Sequence, residues 1–106
     1  MTTARHQLDL AMTEAQWQAT VIDLASTLGW IHYHVHDSRR SHPGFPDLCL
    51  VRDRVIFAEL KSMRGRLSTH QIAWQRLLDT ARAEAYVWRP SDWPQVEQTL
   101  TRRARP

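Results

Sequence analysis

The chain has 106 residues, enough for one compact domain with a single core, and 42% of them are hydrophobic, which suffices to build that core. A formal net charge of +3 tilts the expected partner towards an anion. A single cysteine, Cys49, excludes an internal disulfide framework and a cysteine zinc cluster, so a reducing cytoplasm is the expected compartment.

Residues 1–12 contain Arg5, His6 and Asp9 with no continuous apolar stretch. They predict a flexible N-terminal segment with neither a signal peptide nor a membrane span. Thr13 and Gln16 then form a capping-box pattern, Met12 and Trp17 are placed for a hydrophobic staple, and Trp17, Val21, Leu24 and Leu28 recur at helical spacing as far as Gly29. A first helix over Glu14 to Leu28 follows. Trp30 to His36 is aromatic and β-branched, which predicts a first strand, and a polar loop with Pro43 and Gly44 carries the chain from Asp37 to Pro46.

Two apolar runs, Leu48 to Val51 and Val55 to Leu60, flank Arg52, Asp53 and Arg54. A three-residue connection sets Val51 opposite Val55 and, counting outward, Asp47 opposite Glu59. Residues opposite one another share a face with Cβ atoms roughly 4.5–5.5 Å apart, close enough for two carboxylates to meet on one Mg²⁺. Lys61, two residues past Glu59, shares that face. A two-residue turn would put the two acids on opposite faces instead, so the site requires the longer one.

After the hairpin, Ser68 and Gln71 repeat the capping-box pattern and Leu67 and Ile72 the staple, while Trp74, Leu77, Leu78 and Ala81 mark a buried stripe. A second helix runs from about Thr69 to Ala83. Tyr86 to Trp88 is a short strand, and Ser91 or Asp92 caps a last helix that tolerates Pro94 in its first turn. The domain proper spans 13–100, and residues 101–106 form a basic C-terminal tail.

Strand direction places the chemistry. The hairpin end that carries Asp47 and Glu59 is also where the first helix begins, so Glu14 is delivered there, and the second helix brings Gln71, Arg64 and Arg66 to the same end. A crossover through the second helix makes the last strand parallel to its neighbour, so Arg89 and Ser91 finish there too. His32, His34 and His36 alternate onto one face, but neighbours roughly 6.6 Å apart along a strand converge poorly on a tetrahedral ion, so they read as a polar margin. His36 alone reaches the site's end. Cys49 reads as a core thiol.

The segments GFPDLCLV, FAELK and LSTHQIAW resemble the VRR-NUC domain, a branch of the PD-(D/E)XK nucleases, over Glu14 to about Leu100. The resemblance implies an α/β fold with a PD-(D/E)XK restriction-endonuclease-like core, order α-β-β-β-α-β-α, whose mixed four-stranded sheet is flanked by helices. It implies Asp47 and Glu59 as metal ligands, Lys61 as the catalytic lysine, Glu14 as the helix acid and Gln71 as the glutamine that follows the lysine. Glu14 would hold a second ion or a water of the first, and the backbone carbonyl of Leu60 is a further candidate ligand. Mg²⁺ or Mn²⁺ is the implied cofactor, with no small-molecule cofactor and no membrane.

Arg39, Arg40, Arg64, Arg66 and His36 are candidate DNA contacts. Stand-alone relatives of this type, phage or bacterial, imply an endonuclease that cuts four-way junctions or other branched DNA as a homodimer in replication, recombination or repair. Trp17, Trp74, Trp88 and Trp93 are expected to supply the shared apolar surface. The alternative is a non-catalytic DNA-binding or assembly module on the same fold.

Overall fold

The computed structural model describes residues 3–34 and 42–104. The elements are helix α1 (Ala4–Ala11), helix α2 (Glu14–Thr27), strands β1 (Ile31–His34), β2 (Leu48–Val51) and β3 (Val55–Leu60), helix α3 (Thr69–Thr80), strand β4 (Glu84–Trp88), a 3₁₀ turn at Pro90–Asp92 and helix α4 (Trp93–Thr101). The expected order is present, preceded by one further helix. α1 forms within the segment expected to be flexible: the Thr3 hydroxyl accepts from the His6 N–H at 3.1 Å and caps it. Its inner side chain is an acid, Asp9, paired with Arg5 at 3.4 Å, so no apolar stripe announces the helix.

Both capping boxes are present. Thr13 and Gln16 bond reciprocally at the start of α2, and Ser68 and Gln71 at the start of α3. α2 ends with Gly29 at φ +90° and the Trp30 N–H donating back to the Ala25 carbonyl at 2.9 Å, an exit that favours glycine.

The four strands form one mixed sheet in the order β1-β2-β3-β4, antiparallel except for the β3–β4 pair. The three-residue turn is as expected, with Val51 facing Val55 and Leu48 facing Ala58. Leu48, Leu50, Ile56, Ala58 and Leu60 cover one sheet face and pack with Trp17, Val21 and Ala25 of α2 and Val96 and Leu100 of α4. α3 covers the β3–β4 half of the other face, leaving Ile31, Tyr33, Val51 and Val55 exposed.

Two readings of apolar surface are corrected. Of the stripe on α3, only Leu78 is buried; Leu77 is 62% exposed because α3 spans only half the sheet. Trp17 and Trp88, expected at a shared surface, lie in the core at 1% and 3% exposure. The indole N–H of Trp17 finds an acceptor there, the Trp88 carbonyl at 2.9 Å, which permits burial of the whole ring.

Candidate active site

One step past the Leu48–Ala58 pair, the hairpin register brings Asp47 opposite Glu59. Asp47 is oriented by its own neighbour strand: its Oδ2 accepts the Leu60 backbone N–H at 2.9 Å. Glu59 is 1% exposed. Burial, then the charge and hydrogen bonding of Asp47, push the Glu59 carboxyl up to about 8, with Glu14 adding to the rise and Lys61 opposing it. Burial and two neighbouring acids thus outweigh the one nearby cation, Lys61.

Gln71 closes over the pair from α3. Its Oε1 accepts the Ser68 N–H at 2.8 Å, while its Nε2 donates to the Glu59 oxygens at 3.2 and 3.4 Å. Both ends of the amide are thus engaged, which fixes its orientation. The capping box and the contact with the acid are one arrangement, not alternatives. The loop entering Asp47 is seated on the same helix turn, since a Cβ at Gly44, φ +91°, would lie 2.4 Å from the His70 carbonyl carbon and 2.7 Å from the Gln71 nitrogen. Glycine is required there on both counts. Phe45 then packs edge-on against Phe57 and Trp74, tying the loop to both sheet and helix.

Lys61 leaves the end of β3 on the site's face, and its Nζ lies 3.9 Å from Glu14 Oε1. Its backbone N–H donates to the Trp88 carbonyl at 3.1 Å, the same oxygen that receives the Trp17 indole. One carbonyl therefore fixes the lysine's strand relative to the helix that carries Glu14.

Asp47, Glu59, Lys61, Glu14 and Gln71 are brought together. Arg64 and Arg66 follow on the loop after Lys61, exposed and without an ion pair to another described residue. Arg39, Arg40 and His36 lie outside the described residues. The notable residue that the motifs do not flag is Arg89, whose guanidinium is bound to the loop after Lys61. Its position at the end of a strand parallel to β3 was the available signal. Cys49 is half-buried, and burial pushes its thiol up, away from nucleophilic use.

Among the described residues, no three His, Cys, Asp or Glu side chains cluster as a complete metal cage. Mg²⁺ does not require one: it is held by one or two carboxylates, with waters and substrate oxygens completing its shell. The donor set suits such an ion, with two hard carboxylates and a raised Glu59 that a cation would return to its charged form.

Comparison with known proteins agrees with this fold. A family model described as the VRR-NUC domain matches residues 4–92. A solved structure described as a VRR_NUC domain superposes with a TM-score of 0.68 at 22% sequence identity, covering 84% of this chain and 96% of that one. No curated protein matches the chain.

Proposed function

Because the chain belongs to the VRR-NUC domain family, a nuclease family, we propose that it is a divalent-metal-dependent DNA endonuclease acting through Asp47, Glu59 and Lys61. The observation that carries this reading is the convergence of the Asp47 and Glu59 carboxylates beside the Lys61 ammonium, on a glutamine-clamped acid that is 1% exposed. Asp47 and Glu59 would hold Mg²⁺ or Mn²⁺, with the Leu60 carbonyl as a further ligand, and the bound ion would supply charge stabilisation at the phosphate and a more acidic water. Asp47 and Glu59 bind, Gln71 keeps Glu59 aimed, and Lys61 places a positive charge against the scissile phosphate. Glu14 holds that lysine and adds negative charge at the mouth of the site.

Branched DNA, including the four-way junction, is the proposed substrate, because so small a domain leaves few elements for reading base edges. Arg64, Arg66, Arg39, Arg40 and His36 are the proposed backbone contacts. A homodimer would serve a two-fold junction, and the exposed face of Ile31, Tyr33, Val51 and Val55, in place of the buried tryptophans, is the apolar surface it would use.

The test is cleavage of labelled single-stranded, duplex, flap and four-way-junction DNA with Mg²⁺, Mn²⁺ or EDTA. Metal-dependent cutting is expected, lost in Asp47→Ala and reduced at least ~10²-fold in Lys61→Ala with DNA binding retained. Binding indifferent to chelator, with no cutting of any substrate, would replace the enzyme by the non-catalytic DNA-binding or assembly module.

A further inference from the structure

The parallel register pairs Leu60 with Trp88, so one step further Lys61 stands beside Arg89 on the same sheet face. The hydrogen bond from the Lys61 N–H to the Trp88 carbonyl, 3.1 Å, carries the pairing past the last ladder residue. From that position the half-buried Arg89 turns to the loop that follows the lysine. Its Nη1 donates to the Ser62 carbonyl at 2.6 Å and to the Gly65 carbonyl at 2.6 Å, with the Met63 carbonyl at 3.5 Å. The loop is closed on itself by the Gly65 N–H donating to the Ser62 carbonyl at 3.2 Å. It also runs close beside the lysine: a Cβ at Gly65 would lie 3.1 Å from Ser62 Oγ and 3.4 Å from Lys61 Cδ.

Among the described residues, no carboxylate forms an ion pair with the Arg89 guanidinium, so its charge is given to neutral carbonyls of one loop. Arg89 is itself anchored, its N–H donating to Asp92 Oδ2 at 2.8 Å ahead of a buried Pro90. One nitrogen of a fixed residue thus holds both ends of a tight loop that runs beside the stem of the lysine. Hydrogen bonds from a charged donor are the stronger kind, and the planar fork loses little freedom in making two of them.

We propose that Arg89 is a positioning residue for Lys61: by clamping residues 62–65 it confines the lysine stem and fixes the ammonium in the site. The proposal rests on the nuclease reading for its catalytic consequence but not for the clamp. Displacing a reacting group by about 1 Å can cost ~10²-fold in rate, so a loosened loop should lower kcat without weakening DNA binding.

Arg89→Met, which keeps the stem and removes every donor, and Arg89→Lys, which keeps the charge, separate the possibilities. The first readout is hydrogen exchange at the Gly65 amide in protein free of metal and DNA. Exchange is expected to accelerate at least ~10-fold in Arg89→Met, from the loss of charged hydrogen bonds to the loop. The second readout is steady-state cleavage: kcat is expected to fall roughly 10- to 100-fold in Arg89→Met with KM unchanged, and Arg89→Lys to recover most of it.

Unchanged Gly65 exchange would overturn the clamp. A raised KM with unchanged kcat and a shallower salt dependence would make Arg89 a phosphate contact instead. A lower melting temperature with kcat unaltered would make it a fold staple and overturn positioning. Failure of the unaltered protein to cut DNA would sink the nuclease reading, while accelerated Gly65 exchange would still establish the clamp.

Discussion

Glu59 is an acid held where water cannot stabilise its charge and where Asp47 and Glu14 repel it, and the consequence is measurable without DNA. Its carboxyl is raised to about 8 in the folded chain from an ordinary value near 4.5. Between those values the unfolded chain has released a proton that the folded chain keeps, so this carboxyl's contribution to stability is full below about 4.5 and is lost as pH rises towards 8. Urea midpoints of chelated protein should therefore decline across that range, and Glu59→Gln should flatten the decline. Added Mg²⁺ should reverse the slope, because the ion competes with the proton. An unchanged slope in Glu59→Gln would show that another group titrates. The pairing of Asp47 with Glu59 was legible in the sequence, since it needs only strand period and turn length. The grip of Gln71 on Glu59 was not, because a capping box predicts where the amide oxygen goes and says nothing of what its nitrogen meets. Arg89 was placed at the right end of the sheet for the same topological reason, with no local signal for its loop.

Helices were legible to the extent that their caps and stripes are local. Both capping boxes announced α2 and α3, whereas α1 is short and turns Asp9 rather than an apolar stripe inward, so its formation depends on tertiary contact with the Pro90–Asp92 turn. The end of α3 carries a local conflict. Ala83 N–H donates to the Leu78 carbonyl at 2.9 Å, which requires the intervening residue to be left-handed, and that residue is Arg82 at φ +61° rather than glycine. Arg82 is exposed and lies on the turn after α3. Arg82→Gly should stabilise the protein by about 0.5–1 kcal/mol, read as a raised urea midpoint with an unchanged slope. A lower midpoint would mean that the arginine's side chain contributes more than its backbone costs.

Across the whole molecule, the two ends of the sheet have separate tasks. The end away from the site is held by the hairpin turn itself. Arg52 donates to the carbonyls of Leu28, Leu100 and Arg102 at 3.1, 3.0 and 2.9 Å, and Arg54 to those of Thr99 and Arg102 at 2.8 and 2.6 Å. Both guanidinium groups lie over Trp30, at 4.4 and 5.2 Å. Arg54 also pairs with Glu84 at 2.7 Å; burial pushes the Glu84 carboxyl up, but the bonds and charge of Arg54, with Tyr86 and Arg102, hold it below its ordinary value. These cations cap the last turn of α4, where carbonyls lack partners. Arg54→Ala should cost about 2 kcal/mol in chemical denaturation while leaving the cleavage rate per folded molecule unchanged. Lost activity at full folding would mean that the two ends are coupled. The turn RDR was legible as a connection of the right length, but its targets lie far along the chain, about fifty residues on for the Arg102 carbonyl, and no local pattern could name them.

The Trp88 carbonyl, which receives both the Lys61 amide and the Trp17 indole, also imposes an order in time. Glu14, Asp47, Glu59 and Lys61 all leave the ribosome before Trp88 does. A nascent chain that stops short of β4 has Glu14, Asp47, Glu59 and Lys61 but lacks the backbone acceptor that sets the lysine's strand against the helix carrying Glu14. The acceptor arrives with the last strand, so the geometry of the site is withheld until the sheet is complete.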